Sequence, residues 1–206
     1  MKRQMPPMPF ENKTVQRFPL ADTGRVEIKA DNGAIFVEGW SRPEVVLEIA
    51  VRADEAIKLR QVTPEITAET QGFRLVVKES YYPTKYDWRR GDPGVTFWPA
   101  FTTITLRLPK TTVLKLQSSN ASLDLAGLQG EVNATTFNGK LLYTLPRRAD
   151  QRIEAHTYNG KLILPEPLFM WARGDEGQRR RRAEARLGAG TTRVLLDSYN
   201  GTVEVK

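Results

Sequence analysis

The chain repeats one pattern in the stretches Thr136-Phe137-Asn138-Gly139-Lys140-Leu141, Thr157-Tyr158-Asn159-Gly160-Lys161-Leu162 and Ser198-Tyr199-Asn200-Gly201-Thr202-Val203, and two further copies surround Asn32 and Asn120. In all five copies the residues six and four positions before the asparagine are apolar, and the residue three before it is polar. Glycine follows the asparagine in four copies and Ala121 in the fifth, and apolar residues return three and five positions after it. Alternation with period two on both sides of an Asn-Gly corner predicts strand, turn, strand.

The spacing of these corners favours a β-solenoid. Asn138 follows Asn120 by 18 residues and Asn159 follows Asn138 by 21, close to one coil whose equivalent residues stack about 4.8 Å apart. Asn138, Asn159 and Asn200 should then lie at neighbouring turns, each followed by a glycine at positive φ. A set of separate hairpins is the alternative, because Asn-Gly is also the strongest two-residue hairpin signal.

The predicted fold is mostly β, a β-solenoid or parallel β-helix-like repeat array with an N-terminal strand-rich region and one short helix. We divide the chain into a flexible segment 1–12, an N-terminal β region 13–110 that includes the first coil, and C-terminal repeats 111–206. Asn159 and Asn200 are 41 residues apart, about twice the normal spacing, so an Arg-rich insertion at about 165–190 is expected to leave the array. Its second half is expected to be solvated and mobile.

The repeats also predict a continuous core. The residues expected to face it are Leu114, Leu116, Leu123, Leu125, Val132, Leu141, Ile153, Leu162, Leu164, Val194, Val203 and Val205. In the N-terminal region the pattern predicts a strand over 43–52, a short helix over 54–61 with Asp54 as its N-cap, a hairpin of 65–70 with 73–78, and a strand over 102–108.

Composition and charge narrow the class of protein. The chain of 206 residues has 40% hydrophobic residues, 13 Pro and 15 Gly, and no apolar run approaches the roughly 20 residues that a bilayer crossing needs. Residues 1–10 have a basic start without an apolar region behind it, so we expect either an exported periplasmic or surface protein whose signal is missing from this sequence, or a cytoplasmic one. The absence of cysteine excludes disulfides, thiolate metal sites and a cysteine nucleophile.

The net charge of +7 favours anionic partners. Its densest run is Arg179, Arg180, Arg181 and Arg182, which is either a solvated charge run or an anion-binding loop. A second basic loop contains Trp88, Arg89 and Arg90 among tyrosines, and it either binds a ligand by stacking or packs its aromatic residues on the domain.

The repeat itself supplies another candidate surface. Phe137, Tyr158 and Tyr199 precede the corner asparagines, and Lys140 and Lys161 stand two residues after them. Stacked coils would align an aromatic row beside a basic row, a platform suited to an anionic glycan. The alternative is a corner ladder that only stabilises stacking.

Catalytic patterns are sparse, and neither a metal nor a cofactor is expected. The single histidine, His156, occupies the outward position three before its asparagine, and no Gly-x-Ser-x-Gly motif is present. No Gly-rich phosphate loop opens a helix. Because parallel β-helices include polysaccharide-active enzymes, a carboxylate pair across neighbouring coils stays open as an alternative, with Asp124 as one member.

The run Gly33-Ala-Ile-Phe-Val-Glu-Gly-Trp40-Ser-Arg-Pro-Glu-Val45, the repeated Asn-Gly corners and the ending from Ala185 to Val205 resemble the bacterial "putative adhesin" family of β-strand-repeat proteins. The resemblance runs from about Thr14 to Lys206. It implies a β-solenoid that is exported or envelope-associated, without established enzymatic activity, and some relatives are linked to envelope stress. The missing export signal, Ala121 and the Arg-rich insertion depart from the family pattern.

Three functional hypotheses follow, of which the first is favoured. It is a non-enzymatic binding or adhesion-like module of the bacterial cell envelope, with an anionic glycan or a lipid surface as partner rather than nucleic acid. The second is a structural or assembly module, since the strand ending near Lys206 would leave an unpaired solenoid edge for homo-association. The third is a polysaccharide-active β-helix enzyme.

Overall fold

The computed structural model describes residues 7–79, 100–165 and 181–206, together with the backbone of residues 171–173. The described chain is mostly β, as predicted. It contains one 3₁₀ helix at Ala56–Gln61. Its strands are β1 Phe10–Pro19, β2 Arg25–Ala30, β3 Ala34–Trp40, β4 Glu44–Ala53, β5 Val62–Glu69, β6 Gly72–Glu79, β7 Phe101–Pro109, β8 Val113–Ser118, β9 Ser122–Ala126, β10 Val132–Thr136, β11 Leu141–Thr144, β12 Gln151–Thr157, β13 Leu162–Ile163, β14 Trp171–Arg173, β15 Arg181–Arg186, β16 Thr192–Ser198 and β17 Val203–Val205.

The strands form two large mixed sheets. Sheet A has the order β1-β4-β7-β3-β9-β11-β17-β13, and sheet B has the order β14-β15-β12-β16-β10-β8-β2-β6-β5. Each asparagine corner leads from a strand of sheet B to a strand of sheet A, so every repeat contributes one strand to each sheet. The two arms of a corner therefore do not pair with each other, and the alternative of separate hairpins is wrong for these corners.

Strands from different repeats pair in parallel and in the register of the repeat. Leu114 of β8 lies opposite Val132 of β10, which lies opposite Val194 of β16. In sheet A, Leu123 of β9 is likewise aligned with Leu141 of β11. Each apolar position is thus stacked on its own counterpart, which gives continuous inward-facing rows.

The repeats are not stacked in chain order. Strand β16 lies between β10 and β12, and β17 lies between β11 and β13. The corners therefore follow the spatial order Asn32, Asn120, Asn138, Asn200, Asn159. Asn138, Asn159 and Asn200 do lie at neighbouring turns, as predicted, but Asn200 lies between the other two. The expectation of an unpaired strand at the end of the last repeat is wrong, because β17 is paired on both sides. Since all repeats share one pattern, the pattern alone does not fix their order.

The core lies between the two sheets. Ten of the twelve residues predicted to face it are buried, and Leu162 and Leu164 are half-buried because β13 is the outermost strand of sheet A among the described residues. The residues three before the corner, such as Gln117 and Asp197, are exposed or half-buried, which confirms the predicted register.

Among the side chains that the structure describes, Tyr143 is the largest that is fully buried. Its hydroxyl donates to Gln151 Oε1 at 3.0 Å and lies 3.2 Å from the carbonyl oxygen of Leu128, which also accepts from Gln151 Nε2 at 2.9 Å. Burial raises the pKa of Tyr143 to about 12, although the hydrogen bond with Gln151 acts in the opposite direction.

Antiparallel strands flank the parallel repeats. The predicted hairpin is confirmed as β5 and β6, and the predicted strand over 43–52 as β4, which buries one face. The helix is shorter than predicted and lacks a side-chain cap, because the Asp54 carboxylate instead accepts from Lys58 Nζ at 2.8 and 2.9 Å. Strand β1 pairs with β4 from Phe10 onward. Within the described residues, this short helix is the only one, and a bilayer crossing would require a far longer apolar one.

Candidate functional site

The five asparagine corners lie side by side and form what we call the corner column. Their side-chain amides make a continuous ladder in which each Nδ2 donates to the next Oδ1: Asn159 to Asn200 at 2.7 Å, Asn200 to Asn138 at 2.7 Å, Asn138 to Asn120 at 2.7 Å and Asn120 to Asn32 at 2.9 Å. At the far end Asn32 donates to a carboxylate oxygen of Glu79 at 2.6 Å. The ladder has one direction, with its donor end facing an anion.

A second ladder of hydroxyl groups runs behind the asparagines. Thr157, Ser198 and Thr136 each accept a hydrogen bond from the N–H of the glycine in their own corner, at 2.9 to 3.2 Å. Each hydroxyl also donates to a carbonyl oxygen in the neighbouring corner, as from Ser198 Oγ to Gly139 O at 3.0 Å. These hydroxyls thus provide hydrogen-bond partners for backbone groups that the stacked corners bury.

The corner glycines are required for close approach rather than for positive φ. Among them only Gly33 has a positive φ, of 101°. The expectation of a positive φ is therefore wrong for Gly139, Gly160 and Gly201. A Cβ built on Gly139 would lie 1.8 Å from the carbonyl oxygen of Ala121, and one on Gly201 would lie 1.8 Å from that of Gly139. Stacked backbones therefore leave no room for a side chain.

An aromatic row stands beside the asparagine ladder. The rings of Phe137 and Tyr199 are 4.8 Å apart at 4°, and those of Tyr199 and Tyr158 are 4.8 Å apart at 8°, so Tyr199 is the middle ring. The three side chains are 51%, 41% and 39% exposed in the order Phe137, Tyr199, Tyr158. The sequence predicted that these three rings align. In the structure they do, but Tyr199 lies between Phe137 and Tyr158 rather than after them.

The predicted basic row is interrupted. Because the repeats are out of chain order, Thr202 stands between Lys140 and Lys161. Lys140 Nζ lies 2.6 Å from Glu204 Oε2 and holds the pKa of that carboxyl below its usual value. Lys161 is exposed beside the Tyr158 end of the aromatic row. The aromatic row therefore has one lysine in the repeat at each of its ends, and one of the two, Lys140, is already paired.

Two of the predicted arginines lie on a strand. Arg181 and Arg182 begin β15, which pairs antiparallel with β12, so the expectation of a mobile loop is wrong for them. Arg182 makes ion pairs with Glu184 and with Glu154, the latter at 3.9 Å. The other predicted loop residues lie outside the described residues: Trp88, Arg89, Arg90, Arg179 and Arg180.

The residues weighed for catalysis are dispersed. His156 is half-buried on β12, and in register its neighbours are Asp197 and Arg182. Asp124 lies in register between Phe36 and Leu142, and the carboxylate beyond Leu142 in that row is Glu204. Within the described parts of the chain, no group of three or more His, Cys, Asp or Glu residues could hold a metal ion.

Comparison with known proteins gives similarity in structure only. No family model and no curated sequence matches the chain. A "putative cell adhesion protein" from Clostridium sporogenes ATCC 15579 aligns with a TM-score of 0.58 at 10% identity, over 96% of this chain and 99% of that one. A "putative adhesin" from Bacteroides fragilis NCTC 9343 gives 0.35 at 9% identity, over 95% and 97%. A "putative lipid binding protein" from Parabacteroides distasonis ATCC 8503 gives 0.25 at 10% identity, over 95% and 97%. The first alignment shows that this chain shares the fold of the Clostridium sporogenes protein over nearly its whole length.

Proposed function

We propose that this protein is a non-enzymatic, adhesion-like binding module of the bacterial cell envelope and that the aromatic row of the corner column binds an anionic glycan. The observation that carries the proposal is the exposed, pre-ordered stack of Phe137, Tyr199 and Tyr158. The description of the Clostridium sporogenes protein as a cell adhesion protein supports the adhesion-like part.

The architecture we propose is a β-solenoid of six stacked layers. Five layers carry an asparagine corner, and β6 with β7 supplies the sixth, because β6 is parallel to β2 and β7 is parallel to β3. In-register stacking of equivalent residues supports this description. A solenoid places its corner residues in straight rows, which suits a long polymeric ligand better than a small one.

The geometry of the aromatic row suits a sugar chain. Carbon atoms in contact lie about 3.5–4.0 Å apart. Parallel rings with centroids 4.8 Å apart are therefore offset, and each ring leaves part of its face uncovered. The two tyrosine hydroxyls add polar groups to this apolar strip, and Lys161 supplies an exposed cation beside it. Because the corners fix the spacing of the rings, a ligand would lose little free energy in ordering them.

The test measures binding of a uronic-acid polysaccharide by titration calorimetry, with neutral dextran and anionic lipid vesicles as comparison ligands. Tyr199→Ala removes the middle ring and should weaken binding at least about tenfold, which corresponds to about 1.4 kcal/mol. Binding should also weaken as salt rises, since Lys161 would pair with a carboxylate.

Phe36→Ala is the matched control, because Phe36 is 42% exposed on the outer face of sheet A, away from the corner column. It should leave binding unchanged. The proposal fails if Tyr199→Ala lowers stability without changing affinity for any of the three ligands, because the row would then only stabilise stacking. Equal losses for both variants would also contradict it.

A further inference from the structure

We propose that the last repeat, residues 192–205, exchanges between two copies of the chain and so forms a strand-exchanged dimer. The inference is independent of any ligand of the aromatic row. It starts from the position of this repeat, which is last in sequence but lies inside both sheets. Strand β16 fills a gap between β10 and β12, and β17 fills a gap between β11 and β13.

The last repeat can enter the two sheets only if the strands that precede it in the chain leave a gap for it. Strands β12 and β13 precede the last repeat in the chain, yet they stack outside it. Before the last repeat is in place, β10 and β12 each present an unpaired edge in sheet B. Such edges are templates for another strand, whichever chain supplies it.

The ladder contacts that hold the last repeat recognise only the repeat pattern. Asn200 donates to Asn138 and accepts from Asn159, both at 2.7 Å. Ser198 Oγ donates to the carbonyl oxygen of Gly139, while Thr157 Oγ1 donates to that of Gly201. A second copy brings the identical set of groups, so an exchanged repeat makes every one of these contacts again.

The segment 187–191 is suited to act as the hinge. It joins β15 to β16 across the beginning of β12, because those two strands lie on opposite sides of β12. Gly188 and Gly190 have positive φ, of 58° and 68°. The segment is held by Asp150, whose carboxylate accepts from Gly190 N at 2.7 Å and from Thr191 Oγ1 at 2.8 Å. A short connection that must cross a strand favours exchange, because extending it relieves the tight path.

Exchange conserves the contacts of the repeat itself, so protein concentration decides between the closed monomer and the dimer.

The chain has no cysteine, so an introduced pair supplies the only thiols. Asn133 of β10 and Leu195 of β16 lie opposite each other and face outward. Asn133→Cys with Leu195→Cys therefore links the last repeat to its neighbour, whichever chain that neighbour belongs to.

The experiment unfolds this double variant, refolds it at low and at high protein concentration, oxidises it and analyses it on a non-reducing gel and by light scattering. We expect an internally linked monomer at low concentration and a covalent dimer at high concentration. The matched control is Lys115→Cys with Asn133→Cys, which links β8 to β10 and involves no exchanging strand. It should stay internally linked at both concentrations.

Each outcome decides the proposal. A folded, internally linked monomer from the first variant at every concentration would overturn it. Covalent dimers from both variants in equal amount would also overturn it, because they would report collisions between chains rather than exchange. Inserting two glycines after Ala189 provides a second test. A longer hinge should lower the dimer fraction that the Asn133→Cys, Leu195→Cys variant forms at high concentration.

Discussion

In the corner column each residue pairs with its own counterpart in another repeat, whereas β1, β4, β5 and β15 pair antiparallel with strands of different pattern. The column is held by ladders whose groups all lie at one spacing, so a change at one rung is transmitted to both neighbours. Strand β4 also buries one face in the core, whereas the outer strand β1 is held by edge pairing and by exposed ion pairs, such as Lys13 with Glu48 at 2.7 Å. Exposed pairs contribute little to stability. We therefore expect the column to be intolerant of substitution and exposed positions of the outer flanking strands to be tolerant.

Glycine substitutions should separate the two regions most strongly. Gly139→Ala places a Cβ 1.8 Å from the carbonyl oxygen of Ala121, a backbone atom that cannot move without opening the ladder. We expect the free energy of unfolding in urea to fall by about 3 kcal/mol or more, and Gly139→Val to be worse. Gly72→Ala, at the β5–β6 hairpin, meets no atom within 4 Å and should change stability by less than about 1 kcal/mol. Similar losses of stability at Gly139 and Gly72 would contradict the expected difference between the corner column and the flanking strands.

Apolar truncations should give the next largest contrast. Leu116 is fully buried in the inward row of sheet B, and Leu116→Ala should cost about 2–5 kcal/mol through lost contacts and a cavity. Val15 on β1 is 54% exposed, and Val15→Ala should cost about 0.5 kcal/mol or less. The denaturant midpoints of the two variants measure the difference. A loss at Val15 as large as that at Leu116 would mean that β1 carries more of the fold than its exposure indicates.

The buried hydroxyl of the repeat region should make stability depend on alkaline pH. The folded pKa of Tyr143, about 12, lies above the unfolded value of about 10. The unfolded state therefore loses its proton first, and the contribution of Tyr143 is complete below pH 10 and lost as pH rises toward 12. Two pKa units correspond to a free energy on the order of 3 kcal/mol. Urea titrations between pH 9 and 12 check this, and Tyr143→Phe should flatten the slope; an unchanged slope in that variant would assign it to other groups.

The asparagine ladder should show the smallest effect and should distinguish its interior from its end. Asn138 donates one side-chain hydrogen bond and accepts another, whereas Asn159 only donates one within the ladder. At about 0.5–1.5 kcal/mol for each bond, Asn138→Ala should cost about 1–3 kcal/mol and Asn159→Ala about half as much. Thermal unfolding of the two variants provides the measurement. Equal losses would indicate that the number of ladder hydrogen bonds does not determine the loss of stability.

The sequence alone was sufficient for the parts of the fold that alternation controls. The inward rows, the hairpin of β5 and β6 and the alignment of Phe137, Tyr158 and Tyr199 all follow from period-two patterns around the corners. Each of these predictions depends on which face of a strand is apolar, and burial enforces that choice.

The sequence could not predict the order in which the repeats stack or how closely their backbones approach one another. Five copies of one pattern satisfy the same ladder in any sequence of stacking, so the placement of Asn200 between Asn138 and Asn159 was not predictable. That order also puts Thr202 between the two lysines. The arginine run was predicted as mobile from its charge, but Ala183 and Ala185 alternate with charged residues and are buried, a strand signal that the charge obscured.

The insertion of the last repeat changes what a shortened protein would be. In an array stacked in chain order, a premature stop codon near the end would remove the outermost layer and leave the rest intact. Here residues 192–205 follow the other repeats in sequence yet fill interior positions in both sheets, because β16 and β17 have strands on either side. A nascent chain that lacks them has apolar rows on both sides of an open gap, which favours aggregation. Insertion of β16 and β17 therefore decides whether the repeats share one continuous core.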